Sequence, residues 1–149
     1  MAFAAHMESA LDEARASGTR NEVPVGAVIV APNGEVIARA GNRTLELCDP
    51  TAHAEILVIR AASAALGSPR LMGCALYVTL EPCPMCASAI SQARIARLIY
   101  GAPDPKSGGV GQGPRVFAHP QSHHVPEVID GIGADASAKL LKDFFASRR

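Results

Sequence analysis

This 149-residue sequence predicts an α/β domain in which a mixed sheet is covered by helices. Three observations predict it. From Ala75 to Gly101 a strand, a helix and a strand follow one another over short links, a βαβ unit whose strands run parallel with a right-handed crossover. Ahead of that unit two β-prone runs meet at Pro32, Asn33 and Gly34, which are turn formers and predict a hairpin. At both ends of the chain apolar residues recur at helical spacing.

Taken in order, Phe3, Met7, Ala10, Leu11 and Ala14 share one face of a helix over residues 3–17, with Gly18 where it stops. "VGAVIVA" from Val25 and "EVIARAG" from Glu35 are the strands of the hairpin. A second helix runs from about His53 to Leu66, ended by Gly67. "ALYVTL" from Ala75 is a strand, Pro84 to Ala93 a helix, and "RLIYG" from Arg97 a strand. Residues 102–133 hold six glycines and five prolines and read as irregular chain, a length that in a compact domain is usually functional. Ala138, Leu141, Phe144 and Phe145 mark a closing helix for which Asp135 is the expected N-cap.

The totals narrow the function. At 149 residues the chain predicts a single domain, residues 1–149, able to bury roughly two-thirds of the surface its unfolded form exposes. Its apolar runs are broken by Arg, Glu or Pro short of the ~20 residues of a membrane span, so no span is expected. The start of the chain has no basic flank and carries Glu8, Asp12 and Glu13, unlike a secretory or transit segment, and a cytoplasmic location is expected. Fourteen basic residues balance fourteen acidic ones, which leaves no global field to attract nucleic acid. The balance shifts along the chain: residues 1–90 hold six basic and nine acidic side chains, residues 91–149 eight and five. That shift suits an anionic partner for the second half, and equally an ordinary solvated surface.

Four cysteines are too few and too irregularly spaced for a disulfide scaffold, so the pair Cys83 and Cys86 reads as a metal or redox site. C-x-x-C spacing places two sulfurs on one ion, and Pro84 suits the first position of a helix, where its missing N–H would have no partner. The positive end of that helix favours thiolates. A thioredoxin-like pair and two buried small hydrophobes are the alternatives. His53 adds a third ligand, and three protein ligands with one open position are the pattern of catalytic zinc, whereas structural zinc takes four. Neither Cys48 nor Cys74 has the local pairing of a structural site. A histidine in an apolar run is otherwise a satisfied core residue.

Glu55 stands two residues beyond His53. In a regular helix residues i and i+2 point about 200° apart, so both reach one site only from a first turn, past the helix end. Two helix starts must then converge at the carboxyl ends of the strands, where open α/β sheets bind ligands. Two thiolates, a neutral imidazole and Zn²⁺ sum to zero, and zinc lowers the pKa of water from 15.7 towards about 7. A carboxylate beside such a centre can move protons, the demand of hydrolytic deamination. The alternative for Glu55 is an ion pair with Arg60 or Arg39, which would turn it to solvent.

H-A-E followed by P-C-x-x-C resembles the signature of zinc-dependent nucleobase deaminases. The stretches "NEVPVGAVIV", "GNRT", "DPTAHAEI", "LYVTLEPCPMCASAI", "RIARLIYGAPDPKSG" and "LLKDFFASRR" extend the likeness in order over almost the whole chain, which resembles the bacterial tRNA-specific adenosine deaminases of the cytidine/deoxycytidylate deaminase-like superfamily. The resemblance implies a three-layer α-β-α sandwich around a mixed, mostly five-stranded sheet. It implies deamination of adenosine to inosine at the wobble position of a tRNA anticodon, by a homodimer with one zinc per subunit. By position His53, Cys83 and Cys86 are the ligands and Glu55 the proton shuttle. Asn42, with the Ala54 backbone amide, reads the flipped base; Asp104 and Lys106 meet the flanking nucleotides; Phe144, Phe145, Arg148 and Arg149 lie near the anticodon loop. Pro103 and Pro105 around Asp104, and the stretch up to Gly133, depart from the usual pattern. His119, His123 and His124 either line the RNA face or are exposed loop residues.

Two other functions share parts of this pattern. A deaminase of free guanine or cytosine carries the same motifs. A non-catalytic, zinc-stabilised RNA-binding module would need a closed four-ligand site and no Glu55.

Overall fold

The computed structural model describes residues 3–148. In chain order its elements are α1 (Phe3–Thr19), β1 (Gly26–Val30), β2 (Val36–Gly41), α2 (Ala54–Leu66), β3 (Ala75–Leu80), α3 (Pro84–Gln92), β4 (Arg97–Ala102), a short 3₁₀ turn (Val116–Ala118), β5 (Glu127–Ile129) and α4 (Ala134–Ala146). One five-stranded sheet runs in the order β2-β1-β3-β4-β5. β1 is antiparallel to both β2 and β3, while β3, β4 and β5 are parallel.

Alternation along each strand builds two cores, because successive side chains leave opposite faces. Ala27 and Ile29 of β1, Leu76 and Val78 of β3, and Leu98 and Tyr100 of β4 meet Ala54, Val58 and Ala62 of α2 and Ile90 of α3. Val28, Val30, Tyr77 and Ile99 face the other way, onto Met7, Ala10 and Leu11 of α1. With α4 beside α1 on that second face, the result is three layers, α-β-α. Glycine sets the closeness of α1. A Cβ on Gly26 would collide with the Ala10 carbonyl, and one on Gly41 with the Ser17 hydroxyl.

Three details differ from expectation. Gly18 does not stop α1, which continues to Thr19; the chain turns out at Asn21, whose φ of 64° is left-handed. Asp135 lies in the first turn of α4 and Gly133 is the N-cap, at φ 72°, packed so close to Met7 that a Cβ would stand 3.0 Å from its Cγ. The segment expected to be irregular contains β5, hydrogen-bonded alongside β4. Three residues, two of them exposed, are too short a run to show alternation.

Candidate active site

His53 and Cys83 hold equivalent places as the N-caps of α2 and α3, both with extended backbone. Pro84 occupies the first turn of α3 as its missing N–H favours. The crossover from β3 brings the two helix starts together. His53 Nδ1 lies 3.6 Å from Cys83 Sγ and 3.4 Å from Cys86 Sγ, and the three ligand atoms all fall within 4.8 Å of one another. A tetrahedral zinc with bonds of about 2.3 Å to sulfur and 2.0 Å to nitrogen separates such atoms by about 3.6 Å, so the donor set fits that ion. Nδ1 is then the ligating nitrogen. Cys48 and Cys74 do not join the group, and all four cysteines are free thiols.

The electrostatics of the three ligand side chains follow from their proximity. The Cys86 thiol donates to Cys83 Sγ and, with His53 adjacent, holds Cys83 down to about 4. Cys86 is raised, first by that same hydrogen bond and then by burial. His53 is raised by its hydrogen bond with Cys83. Two sulfurs thus share one proton, and an ion that displaces it meets two thiolates.

Glu55, in the first turn of α2, is buried at 4% exposure. Neither Arg60 nor Arg39 pairs with it; among the described residues its carboxylate has no ion-pair partner. Burial pushes its carboxyl up to about 7. It lines a cavity of about 230 Å³ together with His53, Cys83, Asn42, Asp104 and Ser107. That is a small ligand pocket, suited to a single flat ring system.

The other expected residues divide into those at this cavity and those beside it. Asn42 reaches the cavity with its amide engaged: Oδ1 accepts the Ala54 N–H at 2.8 Å and Nδ2 donates to the Val23 carbonyl at 3.2 Å. The Ala54 amide therefore points at Asn42. Asp104 closes a turn by accepting the Lys106 and Ser107 amides. Lys106 and Phe145 line an adjoining groove of about 500 Å³ that shares Val23, Leu80, Asp104 and Ser107 with the cavity. Phe144 turns to a neighbouring cleft, edge-on to Phe145, with the Arg148 guanidinium 3.5 Å from its ring centre and bonded to Asn21 Oδ1. Arg149 lies outside the described residues. His124 is a structural tie, its Nε2 2.7 Å from the Ile95 carbonyl, and His119 caps a turn through Gln121. His123 is exposed in a cleft with Arg70 and Arg94 at the far end of α3.

Sequence reasoning passed over two buried carboxylates that set the walls of the cavity. Glu22 accepts the amides of Leu45 and Glu46 and the Thr44 hydroxyl. Glu81 accepts four backbone amides, those of Asp104, Val110, Gly111 and Gln112. For Glu81 the available signal was a charged residue directly after the apolar strand run ALYVTL; Glu22, two residues after Arg20, gave none.

Residues 3–102 match the cytidine and deoxycytidylate deaminase zinc-binding region. Over 143 residues, 96% of this chain and 93% of the relative, the sequence is 60% identical to a tRNA-specific adenosine deaminase of Agrobacterium fabrum. It is 43% identical over 144 residues to that of Bacillus subtilis, covering 97% of this chain and 89% of the other. A solved structure from work on A-to-I editing by tRNA:A34 deaminases superposes with a TM-score of 0.90 at 60% identity, over 92% of this chain and 99% of that one. The guanine deaminase of Bacillus subtilis superposes at 0.66 with 34% identity, over 82% and 81%. The chain belongs to the zinc-binding cytidine and deoxycytidylate deaminase family and, within it, to the tRNA-specific adenosine deaminases.

Proposed function

We propose that this protein converts adenosine to inosine at the wobble position of a tRNA anticodon by hydrolysis, with His53, Cys83 and Cys86 holding one zinc ion and Glu55 moving the protons. The observation that carries the chemistry is Glu55, a buried carboxyl without an ionic partner among the described residues, beside three convergent ligand atoms. Zinc at that position supplies Lewis acidity that makes water a nucleophile near neutral pH. Glu55 takes the proton of the attacking water, delivers it to the purine ring nitrogen, and carries a second to the departing amino group, so that adenosine and water become inosine and ammonia. Burial raises the Glu55 carboxyl above the ordinary carboxylate range, which suits a group that must both take and give protons.

Asn42 lines the cavity and keeps one amide hydrogen uncommitted, which suits a contact to the base. Asp104, Lys106 and Phe145 line the groove next to the cavity, which suits nucleotides continuous with the target. An anticodon loop presents its bases unpaired, so little unstacking opposes entry. The enzyme acts as a cytoplasmic homodimer. Leu66 is exposed and Ile56, Leu57 and Ile59 are partly exposed on α2, an apolar face fit for a second copy. Among the described residues no helix is long and apolar enough to cross a membrane.

The test is incubation of the zinc-loaded protein with an anticodon stem-loop carrying adenosine at the wobble position and, separately, with free guanine, cytosine and adenine. Inosine in the RNA is the expected product. Turnover of a free base without inosine in the RNA assigns the protein to free-base deamination instead.

A further inference from the structure

Glu81 follows the last residue of β3, two positions before Cys83, and lines the same cavity as His53, Glu55 and Cys83, yet its carboxylate oxygens are committed to a loop. It is 2% exposed and makes no ion pair among the described residues. Its partners are all main-chain donors of one loop. Oε1 takes the Asp104 amide at 3.0 Å; Oε2 takes the consecutive amides of Val110, Gly111 and Gln112 at 3.1, 3.0 and 3.1 Å. Three successive N–H groups converging on one oxygen form an anion-binding nest, here filled by the protein's own carboxylate.

The loop from Asp104 to Gln112 has no helix or strand to fix it. It also packs too tightly on the carboxylate for a side chain to intervene: a Cβ on Gly108 would stand 2.5 Å from Glu81 Oε2 and 2.6 Å from the Asp104 carbonyl. Asp104 and Ser107, at one end of the loop, form the partition shared by the catalytic cavity and the adjoining groove. Gly109, further along, donates to the Pro82 carbonyl at 2.8 Å and lies against Pro84.

We propose that Glu81 is a positioning residue that holds the 104–112 wall of the substrate cleft and thereby governs capture of the RNA loop, leaving the chemical step to Glu55 and the metal ligands. This rests on the tRNA reading above. Because all four partners are donors, Glu81→Gln keeps the size of the side chain but turns an amino group towards N–H groups that need an acceptor.

The experiment is single-turnover editing of the anticodon stem-loop by wild type, Glu81→Gln and Gly108→Ala, with zinc content measured for each. The expected result in both variants is a rise of about tenfold or more in the RNA concentration giving half-maximal rate, with the maximal rate within about threefold of wild type and zinc unchanged. Gly108→Ala keeps the carboxylate chemically intact but drives a methyl against Glu81 Oε2 and the Asp104 carbonyl, parting the loop from its anchor, and it decides the matter alone should Glu81→Gln not fold. An unchanged half-saturating concentration, a fall confined to the maximal rate, or loss of zinc overturns the assignment. Failure of the wild type to edit the RNA at all overturns the tRNA reading, and this inference with it.

Discussion

The metal corner and the mouth of the cleft lie side by side and are held by different means. At the metal corner every residue sits within one turn of a helix start: His53 and Cys83 as N-caps, Glu55 and Cys86 just inside. The mouth is irregular chain, shaped by two carboxylates that reach across from elsewhere, Glu22 to the turn at 44–46 and Glu81 to the loop at 104–112. Helix geometry fixes the first region with little help from distant residues, whereas the second depends on single side chains. Chemistry is therefore expected to fail at the corner and recognition at the mouth.

The sharpest way to break that division is Glu55→Ala. It is expected to lower the editing rate by about 10³-fold or more, the upper range for general acid-base catalysis, while zinc content stays at the wild-type level. Retained turnover, read by inosine formation, would remove Glu55 from its role. Next in size is Cys83→Ser, which should lower zinc occupancy and melting temperature together, because metal binding and folding are linked. Cys48→Ser, at an exposed thiol outside the group, should change neither; metal analysis beside thermal unfolding separates the two.

At the mouth, Glu22→Gln should cost about 2 kcal/mol of stability through its bonds to the Leu45 and Glu46 amides. Burial alone would raise the Glu22 carboxyl, but the Glu46 and Leu45 amides, the Thr44 hydroxyl and Arg20 hold it below its ordinary 4.5. A carboxyl depressed by folding leaves the folded state with fewer protons than the unfolded one. Its stabilising share is full above pH 4.5 and is lost as pH falls through the folded value. The resistance of the wild type to denaturant should therefore fall over that acid interval, and Glu22→Gln should flatten the decline. Equal acid slopes would show that Glu22 does not carry it.

The smallest effect belongs to Arg148→Ala. Its guanidinium rests on Phe144 and bonds Asn21 at the surface, so less than ~1 kcal/mol of stability should be lost, with modestly weaker RNA binding. Titrating RNA binding against salt would sharpen this, since removing a cation that neutralises a phosphate should also make binding less sensitive to salt.

Legibility in the sequence follows the same line. The hairpin, the βαβ unit and the helix starts at 53 and 83 could be read because each depends on neighbours along the chain: turn residues, alternation, a proline at the first helical position. The convergence of His53, Glu55, Cys83 and Cys86 followed from those starts. What could not be read depends on distant partners. Gly133 rather than Asp135 caps α4, packed closely on Met7. β5 exists because β4 supplies its hydrogen bonds. Glu22 and Glu81 look like ordinary charges until the loops that wrap them are folded.

β5 also limits how the molecule meets its own kind. It closes the sheet with three residues, directly after Pro126, which has no N–H to offer, and with Glu127 tied to Arg97. Such a rim gives an incoming chain almost nothing to zip onto. The opposite rim is the six-residue β2, so any strand that extends the sheet is left to that edge.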